Sequence, residues 1–277
     1  MRCQLRFAAL GDSTTFGVGD PVHGGWRGWA ALLADALDES YDVRFTNLAV
    51  SGGTTRDVLD PQLGSALAQR PDLASLIVGV NDTMKSSWDP VLVRERLLAA
   101  AAGLAGSGAL LLTVRYHDHA SVLGLPGWLR RPMWRRIQQL NATYDEIHAQ
   151  HGGVRIDLAQ RPEVATRAFW SVDRLHPSGS GHRAVARWYA ELLAECGYLV
   201  VPPPAGSDAG LAPSRREDLA WLARAGLPWL ARRAGDLGPW GARMALAELG
   251  ARRGGELARM PALPGPDVGP LRDEVVA

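Results

Sequence analysis

Five short runs of continuous apolar character fall at 5–10, 43–50, 73–80, 109–116 and 154–158. Each is Leu-rich or β-branched and ends in Gly, Asn, Ser or Asp. Unbroken apolarity, as opposed to strict alternation, predicts strands buried on both faces, as in a parallel sheet. Between the runs, polar and apolar positions recur at helical spacing over 26–39, 55–69, 90–105, 133–150 and 181–196. Pro61 should break or kink the second helix, because proline lacks the N–H that the helix needs. Gly197, directly after the last of them, suits the position that follows a helix C-terminus. Strand alternating with helix predicts an α/β domain over residues 1–200, with a doubly wound parallel five-stranded sheet. The pattern then stops. Val201-Pro202-Pro203-Pro204 opens a Pro-rich linker, 201–216. A helical C-terminal extension is expected over 217–259, broken at Gly226-Leu227-Pro228 and Gly238-Pro239, and a flexible tail over 260–277.

Composition changes this picture little. The chain has 277 residues, 47% of them hydrophobic, enough for a sizeable core. A formal net charge of +1 gives no reason to expect a nucleic-acid partner. Cys3 and Cys196 are expected to be buried or partly buried thiols without a disulfide. No run of 18 apolar residues occurs, so no integral membrane segment is expected. The apolar stretch near the N-terminus is too short for a signal peptide, and the cytoplasm is the expected location.

In an open α/β sheet, ligands gather at the carboxyl ends of the strands. After the first run comes Gly11-Asp12-Ser13-Thr14, and after the second Asn47-Leu48-Ala49-Val50-Ser51-Gly52-Gly53. The third is followed by Asn81-Asp82, and a loop after the fifth leads to Asp173-Arg174-Leu175-His176-Pro177. A serine hydroxyl needs a base to become a nucleophile. His176 can take that proton and later return it to a leaving group. Asp173, three residues earlier, can fix the imidazole tautomer. An oxyanion formed on an acyl carbonyl would find donors in the Ser13 and Gly52 backbone N–H groups and the Asn81 amide. The catalytic expectation is therefore Ser13, Asp173 and His176, with an oxyanion hole of Ser13, Gly52 and Asn81. Asp12 and Asn47 are expected in supporting roles.

These blocks resemble those of the SGNH hydrolases, also called GDSL esterases and lipases. The resemblance rests on GDST around Ser13, NLAVSGG around Gly52, GVND around Asn81 and DRLHP around Asp173 and His176, in that order along the chain. It covers about residues 5–196. It implies a three-layer α/β/α flavodoxin-like fold, a Ser-His-Asp triad, a three-donor oxyanion hole and no cofactor. GDST stands where GDSL is commoner, and Gly53 where many members carry Asp or a bulkier residue. The block DRLHPSGSGHRAVA and the Trp-rich C-terminal extension are similar to a group of actinobacterial members.

Plainer roles exist for several of these residues. Ser13 can cap a turn, Asn81-Asp82 can open a helix, and Asp173 can be a surface carboxylate. His182 falls inside the last helix as a packing or surface residue. The segment Arg115–His119 lacks the further ligands a metal site needs, so no metal is expected, and His117 is instead a candidate pocket residue. Residues 121–133 form a long apolar connection, either a lid or ordinary packing, with Leu123, Leu125 and Trp128 as possible substrate contacts. The tryptophans of the extension can pack on the domain or face a membrane or partner. The sequence thus predicts a serine esterase acting on a small-molecule acyl ester, with a small or medium acyl or O-acetyl group. An acyltransferase using the same acyl-enzyme and a non-catalytic binding module of the same fold are the alternatives. No G-x-S-x-G elbow occurs, which argues against the α/β-hydrolase fold.

Overall fold

The computed structural model describes residues 2–203 and position 246. Its elements in chain order are β1 (Gln4–Gly11), α1 (Ser13–Phe16), the hairpin strands β2 (Pro21–Val22) and β3 (Gly25–Trp26), α2 (Gly28–Asp38), β4 (Asp42–Asn47), α3 (Thr55–Asp57) and α4 (Leu63–Ala68). There follow β5 (Leu73–Ile77), α5 (Val80–Thr83), α6 (Pro90–Gly106), β6 (Leu110–Arg115), α7 (His119–Val122), α8 (Gly127–His151), β7 (Val154–Asp157) and α9 (Gly179–Glu195).

The expected five strands form one parallel sheet in the order β4-β1-β5-β6-β7. β1 pairs on both edges, with Phe7 opposite Phe45 on one side and Leu73 on the other. The chain first builds outward from β1 to β4, then returns to its far side. Right-handed crossovers make that reversal place helices on both faces. Accordingly α2 packs with α9, while α6 packs with α4 and α8. The result is the three-layer flavodoxin-like arrangement, with its crevice at the carboxyl ends of β1 and β5, where the order reverses. Phe7, Leu10, Leu33, Leu73, Leu76, Leu97 and Trp188 form its fully buried core.

Several boundaries differ from the sequence expectation, each for a local reason. The strand expected over 43–50 ends at Asn47, whose side chain accepts from the Ala49 N–H and donates to the Thr15 carbonyl. The strand expected over 73–80 ends at Ile77, because the Tyr144 hydroxyl takes both backbone groups of Val78. Trp26 lies in the β2–β3 hairpin, so its helix starts at Gly28. The helix expected over 55–69 is split by a π turn, Val58–Gln62, that contains Pro61. Widening the turn absorbs the missing proline N–H. The long connection at 121–133 is largely helical: α8 begins at Gly127, directly after Pro126, and runs through Pro132. Cys3 and Cys196 are both exposed free thiols, not buried ones. The linker beyond residue 203, the helical extension apart from position 246, and the tail lie outside the described residues.

Candidate active site

Ser13 is the first residue of α1, directly beyond β1. Asp12 caps this turn by accepting from the Thr14 N–H at 3.0 Å. The serine is buried, and its Oγ lies 2.7 Å from His176 Nε2. His176 Nδ1 lies 2.6 Å from Asp173 Oδ2. The two residues sit three apart on one turn, which Asp173 holds together: its Oδ1 accepts from the Leu175 and His176 N–H groups at 2.9 and 3.0 Å and from Ser171 Oγ at 2.5 Å. Burial alone would push the Asp173 carboxyl up. The hydrogen bonds from His176 and Ser171 outweigh it and hold the group at about 2. It is therefore a carboxylate at neutral pH, fixing hydrogen on Nδ1 and leaving Nε2 to accept from Ser13.

The loop carrying His176 is pinned at both ends. Trp170 pairs with Pro177 in an antiparallel bridge, the Ser178 N–H donates to the Phe169 carbonyl, and the Arg167 guanidinium donates to the Trp170 and Ser171 carbonyls. On the serine side, Gly19 packs so closely that a Cβ there would lie 2.0 Å from the Pro177 carbonyl oxygen. Fully buried His182 accepts from the Trp29 N–H on Nδ1 and donates from Nε2 to the Val18 carbonyl. Burial lowers it to about 4, so it stays neutral and works as a strut.

The remaining predicted residues converge on the same edge. Gly52 follows β4 with φ +78°, a left-handed conformation that glycine adopts without strain. Asn81 lies in the first turn of α5 and donates one amide hydrogen to the Gly53 carbonyl at 2.9 Å. An amide NH₂ has two hydrogens, so one remains. Asp82 accepts from the Thr55 N–H and hydroxyl at 3.0 and 2.9 Å, clamping the Gly52 loop to the Asn81 turn. Asn47 ties the same loop to Thr15. Burial pushes the Asp12 carboxyl up to about 6, although the Thr14 N–H opposes the shift.

Three positioning residues carry no motif in the sequence. Gln62 Oε1 accepts from the Gly11 N–H at 2.8 Å and its Nε2 donates to the Gly11 carbonyl at 3.0 Å, fixing the backbone just before Ser13. Tyr144 does the same for Val78, ahead of Asn81. Asn141 braces Tyr116, ahead of His117, through both backbone groups. The one available signal was polar residues placed among apolar ones on predicted helices.

A cavity opens beside Ser13, lined by Asp12, Asn81, His117, His119, Trp170 and His176 among others, with most of the rest of its lining apolar or aromatic. His117 is thus where the sequence placed it. Leu123, Leu125 and Trp128 do not line this cavity, which corrects the pocket expectation: the two leucines pack against Ala120 and Met133, and Trp128 is exposed. The reason is α8, whose early start carries residues 127–133 into a helix. Asp118, between the two histidines, accepts from Arg130 and caps α7. No described helix is long and apolar enough to cross a membrane.

A three-layer parallel sheet presenting a serine–histidine–carboxylate row at its switch point defines a class, the flavodoxin-like hydrolases. Within that class, the chain belongs to the GDSL-like lipase/acylhydrolase family, which matches residues 9–184, and it is an esterase of that type. An acetylxylan esterase of Geobacillus stearothermophilus is 24% identical over 182 residues, covering 63% of this chain and 81% of that protein. An arylesterase of Vibrio mimicus is 26% identical over 193 residues, 68% and 88% of the two chains. Among solved structures, a lipase/acylhydrolase from Enterococcus faecalis has a TM-score of 0.54 at 23% identity, over 73% of this chain and 98% of its own. The G. stearothermophilus acetylxylan esterase Axe2 has a TM-score of 0.55 at 20% identity, over 69% and 95%. At these identities, the solved structures speak for the fold.

Proposed function

We propose that the protein hydrolyses esters of small acyl groups through an acyl-enzyme on Ser13. The observation that carries this is the continuous row from Ser13 Oγ through His176 to Asp173, at 2.7 and 2.6 Å. His176 Nε2 takes the hydroxyl proton as Ser13 Oγ bonds to the ester carbonyl carbon, and Asp173 stabilises the imidazolium. The carbonyl oxygen becomes an oxyanion, held by the Ser13 N–H, the Gly52 N–H and the second Asn81 amide hydrogen. The Ser13 N–H belongs to the first turn of α1, where helix amides have no intrahelical acceptor. Collapse of this intermediate breaks the bond to the alkoxy group, which leaves as the alcohol with the proton from His176. Water then repeats the sequence and releases the acid.

Cavity size supports a small acyl group. The space open to the centres of water-sized groups is about 50 Å³. That space suits an acetyl group better than a long chain. One matching relative is named for an acetyl ester, the acetylxylan esterase, which is consistent with a small acyl group. The test is a chain-length series of p-nitrophenyl esters. Acetyl and propionyl esters should give the highest kcat/KM, with a fall of about tenfold or more by octanoyl. A rate that climbs with chain length contradicts the small-acyl reading.

A further inference from the structure

Two imidazoles border the active-site cavity without a part in the chemistry above. His117 and His119 follow β6 and are 5% and 6% exposed. Their rings lie against each other, centroids 4.1 Å apart and tilted by 31°. Neither ring nitrogen of His117 has a hydrogen-bond partner, nor does His119 Nδ1. The neighbouring polar groups are engaged elsewhere. Trp170, packed 4.9 Å from His117, donates its indole N–H to the Val164 carbonyl. The Tyr116 hydroxyl donates to the Val78 carbonyl and the Tyr189 hydroxyl to the Thr113 carbonyl. Across the cavity, the Trp29 indole N–H is also unpaired.

Unpaired polar atoms are costly in a largely apolar cavity. Burial lowers His119 to about 4 and, with His119 beside it, lowers His117 well below the usual histidine range. Both rings are therefore neutral, and each offers one donor and one acceptor. A plain alkyl chain would leave every one of these atoms unpaired. A carboxylate would give up its hydration with no cation to meet it, and Asp173 and Asp12 would repel it. A hydroxyl is complementary: it can accept from one imidazole and donate to the other.

We propose that the His117–His119 pair selects short acyl groups carrying a neutral hydroxyl, making the enzyme a hydroxyacyl esterase. This rests on the esterase reading and narrows its substrate class. Hydrolysis proceeds by the same steps at Ser13, and the pair binds the substituent without taking part in them.

The test uses the purified full chain and two matched pairs of p-nitrophenyl esters of nearly equal shape: hydroxyacetate against propionate, and 3-hydroxybutyrate against 3-methylbutyrate. Each kcat/KM is divided by that ester's own hydroxide rate constant, which removes the inductive effect of the oxygen. The hydroxyacyl member should lead by about tenfold or more in at least one pair, since a site with buried polar groups rejects the analogue that leaves them unpaired. In His117→Phe and His119→Phe the preference should collapse towards unity. Corrected ratios near one in the wild-type enzyme overturn the proposal, and that measurement stands even if neither variant folds. A preference that persists undiminished in folded forms of both variants also overturns it. Labelling of Ser13 by a fluorophosphonate with no turnover of either hydroxyacyl ester overturns it as well. Absence of both labelling and turnover instead removes the esterase reading beneath it.

Discussion

Asn81 spends one amide hydrogen on the Gly53 carbonyl, and the proposed mechanism uses the other for the oxyanion, so the bond that aims the group also stiffens the glycine loop opposite it. Asn81→Ala should lower kcat by about 10²–10³, while circular dichroism and thermal melting show the fold retained. Near-normal turnover would place the oxyanion elsewhere. Asp12 makes a different prediction, about stability. Its folded value of about 6 exceeds the ordinary 3.8, so the folded state binds that proton more tightly than the unfolded one. Holding the carboxylate charged above pH 6 costs the fold on the order of 2–3 kcal/mol. Asp12→Asn keeps the acceptor for the Thr14 N–H and removes the charge. It should therefore raise Tm at pH 8, with the gain shrinking as pH falls through 6 and gone below about 3.8. A gain that is constant across this range contradicts the assignment. At this scale the sequence was most legible where chemistry dictates residue type, as at Ser13, Gly52, Asn81, Asp173 and His176. Gln62, Tyr144 and Asn141 were not legible, because each meets a backbone group 51, 66 or 25 positions away and leaves no local pattern.

The elements around the site are joined loop to loop. The segment after α1 and the segment before α9 meet at Gly19 and Pro177, and the meeting requires both a positive φ of +105° and the absence of a Cβ. Gly19→Ala should push the His176 loop away from Ser13. The expected outcome is a fall in kcat of about 10², with a matching slowing of Ser13 labelling by a fluorophosphonate. An unchanged labelling rate would show that the loop does not depend on this contact. Continuous apolar runs located all five strands, because burial on both faces leaves that signature. Strand and helix ends were less legible, since side chains supply the terminating bonds: Asn47 for β4 and the Tyr144 hydroxyl for β5. The helix expected over 133–150 begins earlier, at Gly127. Pro132 lies inside the helix, where it forfeits one backbone hydrogen bond while the rest of the 25-residue element holds.

On the scale of the molecule, the reversal of strand order brings together side chains from residue 13 to residue 176. The hydrophobic cluster that supports them is assembled from residues 5 to 193, with Tyr198 and Val200 packed against it. A chain ending at residue 203 should therefore fold cooperatively and label at Ser13 as the full chain does. Loss of the folded state on that truncation would show that the domain depends on residues beyond 203. The order of alternating elements made the layered architecture readable from sequence. The identity of the cavity's polar lining was not, because His117 and His119 acquire their meaning only from burial without partners. The proposed chemistry turns on a single atom, Ser13 Oγ, and intact-mass spectrometry after fluorophosphonate treatment reports on it. The wild-type chain should gain one adduct, mapped by peptide analysis to Ser13, with loss of esterase activity in proportion, and Ser13→Ala should gain none and hydrolyse no ester. An adduct on another residue, or esterase activity retained by Ser13→Ala, would show that Ser13 is not the nucleophile.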